Sequence, residues 1–112
     1  MAIDDRDVAA VLRTIRQHAC EGINVAQLMS HSSLSRSTLE RRFKKLLGRT
    51  PKAEILRVQL DRAKGFLART DLPVAEVARK SGFASLHYFC EAFRAKVGDT
   101  PGEYRRRSRT IA

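Results

Sequence analysis

The chain repeats itself, and the repeat limits what it can fold into. Phe43, Gly48, Thr50 and Pro51 recur as Phe93, Gly98, Thr100 and Pro101, an offset of 50 residues. Val25-Ala26-Gln27-Leu28 recurs as Val74-Ala75-Glu76-Val77 at an offset of 49, so one residue enters at the second turn. Two copies within 112 residues leave room for one domain, or for two small subdomains sharing a connection. A large nucleotide-binding fold with a separate substrate domain does not fit.

Each copy reads as helix. There is no sustained alternation of β-branched residues and no Asn-Gly hairpin, so strands are not expected. Val8, Leu12, Ile15 and Ala19 step along one helix face after an Asp cluster that suits the helix dipole, and Gly22 marks a stop. A short segment from about Asn24 to His31 follows, with Asn24 as N-cap. Ser32-Ser33-Leu34-Ser35 reads as a tight turn, and Ser35 caps a helix from about Arg36 to Leu47 that ends at Gly48. Thr50-Pro51 opens a long helix to about Arg69, along which Leu56, Leu60, Ala63 and Leu67 share a face. Thr70-Asp71-Leu72-Pro73 breaks it. A short helix from Val74 stops at Ser81-Gly82, and another runs from about Ser85 to Val97 before Gly98. Thr100-Pro101 opens a last short helix into a basic tail.

A short helix, a tight turn and a longer helix make the helix-turn-helix unit. In the second copy Ala78 lies four residues before Gly82, where a small residue lets helices approach and glycine can take a positive φ. Met29 and Ser33 hold those places in the first copy, a weaker match. The expected fold is all-α: two helix-turn-helix subdomains with about seven helices in total, over about residues 5–50 and 70–107, joined by a long central helix over about 51–69.

The net charge of +10 is uneven. Residues 36–52 carry seven basic groups and one acidic, and residues 79–112 carry eight basic and three acidic. Residues 1–35 and 53–78 are close to neutral. Two basic blocks at matching places in a repeat point to a polyanion, of which DNA or RNA is the commonest. A membrane surface is a weaker alternative: basic amphipathic helices bind it, but usually with exposed bulky apolar residues opposite.

Other classes find little support. No stretch of about 18 apolar residues exists, and the acidic start Met1-Ala2-Ile3-Asp4-Asp5-Arg6-Asp7 is no secretory signal, so a cytoplasmic, nucleoid-associated location is expected. Cys20 and Cys90 form no CxxC pair and read as reduced thiols. With His18, His31 and His87 they show no zinc spacing, so neither a metal nor a cofactor is expected. No carboxylate pair, Ser/His/Asp order or glycine-rich phosphate loop suggests an enzyme. A methyl-accepting cysteine on a helical module is an alternative that lacks the metal-ligating cluster.

The second half carries a recognisable set: Thr70-Asp71-Leu72, Val74, Glu76-Val77-Ala78, Gly82-Phe83, Tyr88-Phe89, Phe93-Arg94, Gly98, Thr100-Pro101 and Tyr104-Arg105. The first half adds Leu39, Phe43-Lys44-Lys45, Gly48, Pro51, Ile55, Leu60 and Ala63. With these residues the chain resembles the DNA-binding domain of AraC/XylS-type bacterial transcriptional regulators, over about Val8 to Arg107. The stretches Ile15–Val25 and Ser35–Lys44 look most like xylose operon regulators. Glu54 stands where the family usually has an aromatic, Gln59 where it often has Arg, and Glu91 where a basic or polar residue is more usual. The resemblance implies transcription control, with activation of a sugar operon and contact with RNA polymerase. It implies an effector sugar sensed only through a domain absent from this chain, which fits an excised C-terminal module better than a stand-alone one.

Helical phase selects the residues that face DNA. Advancing about 100° per residue from Leu39, the residues Leu46, Leu39, Phe43 and Leu47 cover roughly −20° to 80°, an apolar stripe. Glu40, Lys44, Ser37 and Arg41 fall at about 100° to 200° on one polar face. From Phe89, the residues Cys90, Arg94, His87 and Glu91 fall at the same angles, with Leu86 near about 60° at the border. The aromatics Phe43, Tyr88, Phe89 and Phe93 read as core rather than as stacking platforms.

Base-facing roles are expected for Ser37, Glu40, Arg41, Leu86, His87, Cys90 and Glu91. Arg41 can reach guanine O6 and N7 with its planar fork. Glu40 and Glu91 oppose DNA electrostatically, so each accepts from cytosine N4 or orients Arg41 or Arg94; for Glu40 the bland alternative is a helix pair with Lys44. His87 is a donor or acceptor at a base edge, or a plain surface histidine. Cys90 is a thymine-methyl contact or a half-buried filler. For Leu86 the resemblance implies a base-facing position, against a half-exposed packing leucine. Phosphate contacts are expected at Ser35, Arg36, Lys44, Ser85 and Arg94. Arg105-Arg106-Arg107-Ser108-Arg109 reads as a phosphate clamp or a frayed tail, with the tail slightly preferred.

The central helix would be ~28 Å long at 1.5 Å per residue, near the ~34 Å of one DNA turn. A monomer would then place two recognition helices in successive major grooves and read a bipartite, non-palindromic double-stranded site of roughly 15–20 bp, with DNA bending if the helices are held parallel. The alternatives are a regulator of another pathway, or a helical nucleic-acid or protein-interaction module without sequence readout. RNA recognition is disfavoured by the lack of an exposed aromatic platform.

Overall fold

The structure, a computed structural model, describes residues 5–30 and 32–110. The expected end of the second segment at His31, and the first four residues of the acidic start, lie outside the described residues. The described chain is helical throughout, as the periodicity requires. Its seven α-helices are α1 (Arg6–His18), α2 (Val25–Met29), α3 (Arg36–Leu47), α4 (Pro51–Arg69), α5 (Val74–Lys80), α6 (Leu86–Val97) and α7 (Pro101–Thr110). A single 3-10 turn, Ala19–Glu21, follows α1.

Except for α5, which follows Pro73 without a side-chain cap, the helix starts sit at residues whose side chains hold an orphan amide. Asp5 accepts from the amides of Asp7 and Val8 at the start of α1. Asn24 and Gln27 form a reciprocal capping box on α2, at 2.9 and 2.8 Å. Ser35 accepts from Thr38 N and Ser85 from Tyr88 N, so α3 and α6 begin on the same cap fifty residues apart. Both end on a left-handed glycine, Gly48 at φ 75° and Gly98 at φ 95°.

The chain forms two compact units. One comprises the chain up to Ala19 and Ile23–Val58; the other comprises Cys20–Gly22 and the chain from Gln59 onward. The first unit's core gathers Val8, Val11, Leu12, Ile15, Ala19, Val25, Leu28, Leu39, Phe43 and Ile55. Burying each large side chain contributes ~1.5–3 kcal/mol, against ~1 kcal/mol for one cap. The core therefore sets the rotation of a helix and the caps set its ends.

In the second unit Phe83, Phe89, Phe93 and Tyr104 form a chain of ring contacts with centroids 4.9, 5.6 and 5.6 Å apart. The α5–α6 turn is a Schellman motif: Phe83 N donates to Ala78 O and Gly82 N to Arg79 O, with Gly82 at φ 95°. This bears out the small-residue and glycine spacing.

Four packing expectations are corrected. Leu46 is 43% exposed, so the apolar stripe of α3 is narrower than its phase implied. Leu56 is only half-buried; Pro51, Glu54, Ile55, Gln59 and Leu60 are the buried residues in the first half of α4. Tyr88 is 49% exposed; its ring leans on Phe83 at 5.8 Å from outside the core. The basic tail is helical through Thr110 rather than frayed. Arg105 donates from Nε to Leu67 O at 3.1 Å and from Nη2 to Leu72 O at 2.7 Å, filling carbonyls at the end of α4 and in the following turn. Arg109 pairs with Asp71 at 2.7 Å and also donates to Thr70 O. Arg107 approaches Asp99 at 2.6 Å, a close charge contact without hydrogen-bond alignment.

Candidate nucleic-acid interface

The second helix of each unit carries the candidate reading face. On α3, Leu39 and Phe43 are fully buried, and on α6 so are Phe89 and Phe93 at the same positions of the repeat. Burial of these pairs turns the opposite faces outward. Ser35, Arg36, Ser37, Arg41 and Lys44 are exposed and Glu40 is half-buried. Ser85, Leu86, His87, Glu91 and Arg94 are exposed and Cys90 is half-buried. Leu86, at 46%, is among the most exposed large apolar side chains.

Ion pairs divide these faces differently from the expectation. Glu40 accepts from Arg36 Nε at 2.8 Å, so neither Lys44 nor Arg41 is its partner. The spacing of four permitted both Arg36 and Lys44; the guanidinium one turn before Glu40 takes the carboxylate. Arg36 is thereby tied to a base-facing candidate, while Arg41 and Lys44 hold no ion pair within 4.0 Å among the described residues. Glu91 does not orient Arg94; it sits 2.7 Å from His87 Nε2, again one turn earlier. Among the described residues the exposed face of α3 therefore keeps Arg41 and Lys44 outside any ion pair, while that of α6 sets an apolar pair, Leu86 and Cys90, and a His–Glu pair beside the exposed Arg94.

Two thiols are present, both half-buried and free of any disulfide. Burial pushes the Cys20 thiol up, opposed in part by Arg62, which makes it a poor nucleophile at neutral pH. Among the described residues no group of His, Cys, Asp or Glu could hold a metal ion, and no helix is long and apolar enough to cross a membrane.

Helical phase alone does not reveal the buried carboxylate of Glu54. It accepts from Arg49 Nη1 at 2.6 Å and from Arg57 Nε and Nη2 at 2.8 Å each. The hydrogen bonds from Arg57 hold its carboxyl below the usual carboxylate range, burial opposes this, and Arg49 reinforces it. The aromatic expected at its position was the available signal.

Residues 28–107 match the model of a helix-turn-helix domain family. The DNA-binding domain of AdpA, a global transcriptional factor solved with its target DNA, superposes with a TM-score of 0.88 at 30% identity, over 96% of each chain. The chain belongs to the AraC-type helix-turn-helix family. Other AraC-type chains agree. The C-terminal domain of AraT from Geobacillus stearothermophilus superposes at 0.88 with 25% identity, over 94% of this chain and 88% of that one. The xylose operon regulatory protein of Escherichia coli K12 is 38% identical over 104 residues, 93% of this chain and 26% of that protein. A solved xylose-binding transcription activator superposes at 0.78, covering 95% of this chain and 28% of that one. The chain thus spans about a quarter of the length of the xylose regulators it matches. As an AraC-type domain it is a DNA-binding module of transcription regulation, not an enzyme.

Proposed function

We propose that this module reads a bipartite operator through α3 and α6, inserted into successive major grooves, within a cytoplasmic activator of a sugar-catabolic operon. The carrying observation is the repeat of one reading-helix design at an offset of 50: the same serine cap, the same buried pair, the same glycine end and a polar outer face. The 19 residues of α4, ~28 Å at 1.5 Å per residue, support a half-site spacing near one DNA turn. Similarity to xylose regulators supports xylose as the effector, sensed by a domain beyond this chain, with RNA polymerase as the second partner.

Each half-site would be read by different chemistry. Arg41 suits guanine O6 and N7, with Ser37 and Glu40 beside it. Leu86 and Cys90 suit thymine methyls, Glu91 suits the cytosine N4 donor, and His87 suits a donor or an acceptor edge. Ser35, Arg36, Lys44, Ser85 and Arg94 would hold phosphates and supply affinity without sequence information.

Selection of sites from a random duplex library tests this, followed by affinities at ~150 mM salt, where non-specific binding is typically no tighter than ~10⁻⁶ M. Two enriched blocks about one turn apart, bound by monomer, are expected. No enrichment, or equal competition by RNA, would overturn the reading. A reporter behind xylose-operon control DNA, silent with the full regulator and xylose present, would overturn the pathway assignment.

A further inference from the structure

The first unit places a carboxylate where its repeat places a ring. Glu54 corresponds to Tyr104 at the offset of 50, Arg49 to Asp99, and Arg57 to Arg107. In the second unit Tyr104 packs edge-on against Phe93 at 5.6 Å, and Asp99 takes the charge of Arg107 at 2.6 Å. In the first unit the residue after the helix-ending glycine is basic, so it cannot take Arg57. The position of the ring holds a carboxylate instead, 2% exposed, which binds both guanidiniums. The caps show the same exchange. Thr100 and Glu103 form a reciprocal box at the start of α7, whereas Thr50 caps Ala53, which has no carboxylate to return the bond.

We propose that Glu54 is a positioning residue for DNA reading: it locks the α3–α4 junction through Arg49 and so sets the pose of α3, the work Tyr104 and Asp99 do for α6. Only Gly48, Arg49 and Thr50 separate α3 from α4, so a guanidinium anchored at Arg49 restrains the last turn of the reading helix. The bond from Arg57, one turn along α4, holds the carboxylate itself. A negative group in the first turn of α4 also meets the helix dipole favourably. Glu54 is half of a charge exchange with Arg49, and either change alone leaves buried or crowded charge uncompensated.

The inference rests on DNA reading by α3, and the test separates the two. Hydroxyl-radical footprints on a selected duplex would be recorded for the wild type, E54Q, E54Y and R49D/E54Y, each with its melting curve. We expect E54Q to melt cooperatively well above the footprinting temperature. It should nonetheless lose protection of one block at least tenfold, leaving the other within twofold. E54Y should lose the same block, and R49D/E54Y, which rebuilds the set used by the second unit, should recover it to within threefold. Equal protection of both blocks by E54Q, or no recovery in the double variant, would overturn the positioning role. A wild type that protects no block would instead overturn the operator reading.

Discussion

Replacing Arg105 by alanine separates a structural strap from a DNA contact. In the structure its guanidinium donates to Leu67 O at 3.1 Å and to Leu72 O at 2.7 Å. A hydrogen bond involving a charged group contributes ~1.5–3 kcal/mol; both bonds are part-buried, so the lower half of the sum, ~3–4 kcal/mol, applies. Unfolding entropy near ~2.1 cal/mol/K per residue amounts to ~0.24 kcal/mol/K for the whole chain, so the melting temperature should fall by ~12–17 °C. If the second unit melts by itself, the entropy is about half and the fall is about twice as large. Arg105→Lys keeps the charge but offers no planar fork, so it should recover about half of the loss. The assay is thermal unfolding followed by circular dichroism, with DNA affinity measured well below the transition. A fall under ~2 °C for Arg105→Ala would refute the strap, since ~2 °C is less than half a kcal/mol on this scale. An unchanged melting temperature with a shallower salt dependence of DNA binding would assign Arg105 to phosphate.

Other perturbations probe the reading faces and the turns. Arg41→Ala should cost ~1–3 kcal/mol of specific binding and relax base preference in one half-site, measured by repeating the site selection; uniform weakening across sequences would make it a phosphate contact. Lys44→Ala should weaken all sequences alike and lower the salt slope by about one, and an unchanged slope would remove it from the interface. Gly82→Val forces a β-branched residue to φ 95° and should cost ~1–3 kcal/mol in thermal unfolding; an unaltered melting temperature would contradict the Schellman turn. The Glu54 carboxyl titrates below its ordinary value in the folded chain, so its stabilisation is complete above pH ~4.3 and is lost as pH falls through the depressed folded value. The gap in melting temperature between wild type and E54Q should therefore close on acidification, and a gap constant from pH 7 to 3 would exclude the charge as its cause.

What the sequence determined by itself is what local physics decides. Capping depends on a side chain reaching an amide three residues away, so Asn24, Ser35 and Ser85 were legible as helix starts, and Gly48 and Gly98 as ends. Helical phase depends on ~100° per residue, so Leu39, Phe43, Phe89 and Phe93 were legible as core and Arg41, Lys44 and Arg94 as surface. The repeat carried these features from one unit to the other. Only the tertiary structure decided which of several partners a side chain meets. Glu40 had basic neighbours on both sides at helical spacing, and the geometry chose Arg36. Arg105 reaches carbonyls more than thirty residues away, so no local window could distinguish its strap from a frayed tail. Leu46 lies at a stripe border, Leu56 inside its stripe and Tyr88 well off its own, yet the exposure of all three depends on what the rest of the chain lays across them. Glu54 is the sharpest case. A carboxylate at an aromatic position reads as a misfit until the fold brings Arg49 and Arg57 to it, because burying a charge is tolerable only when its partners are already in place.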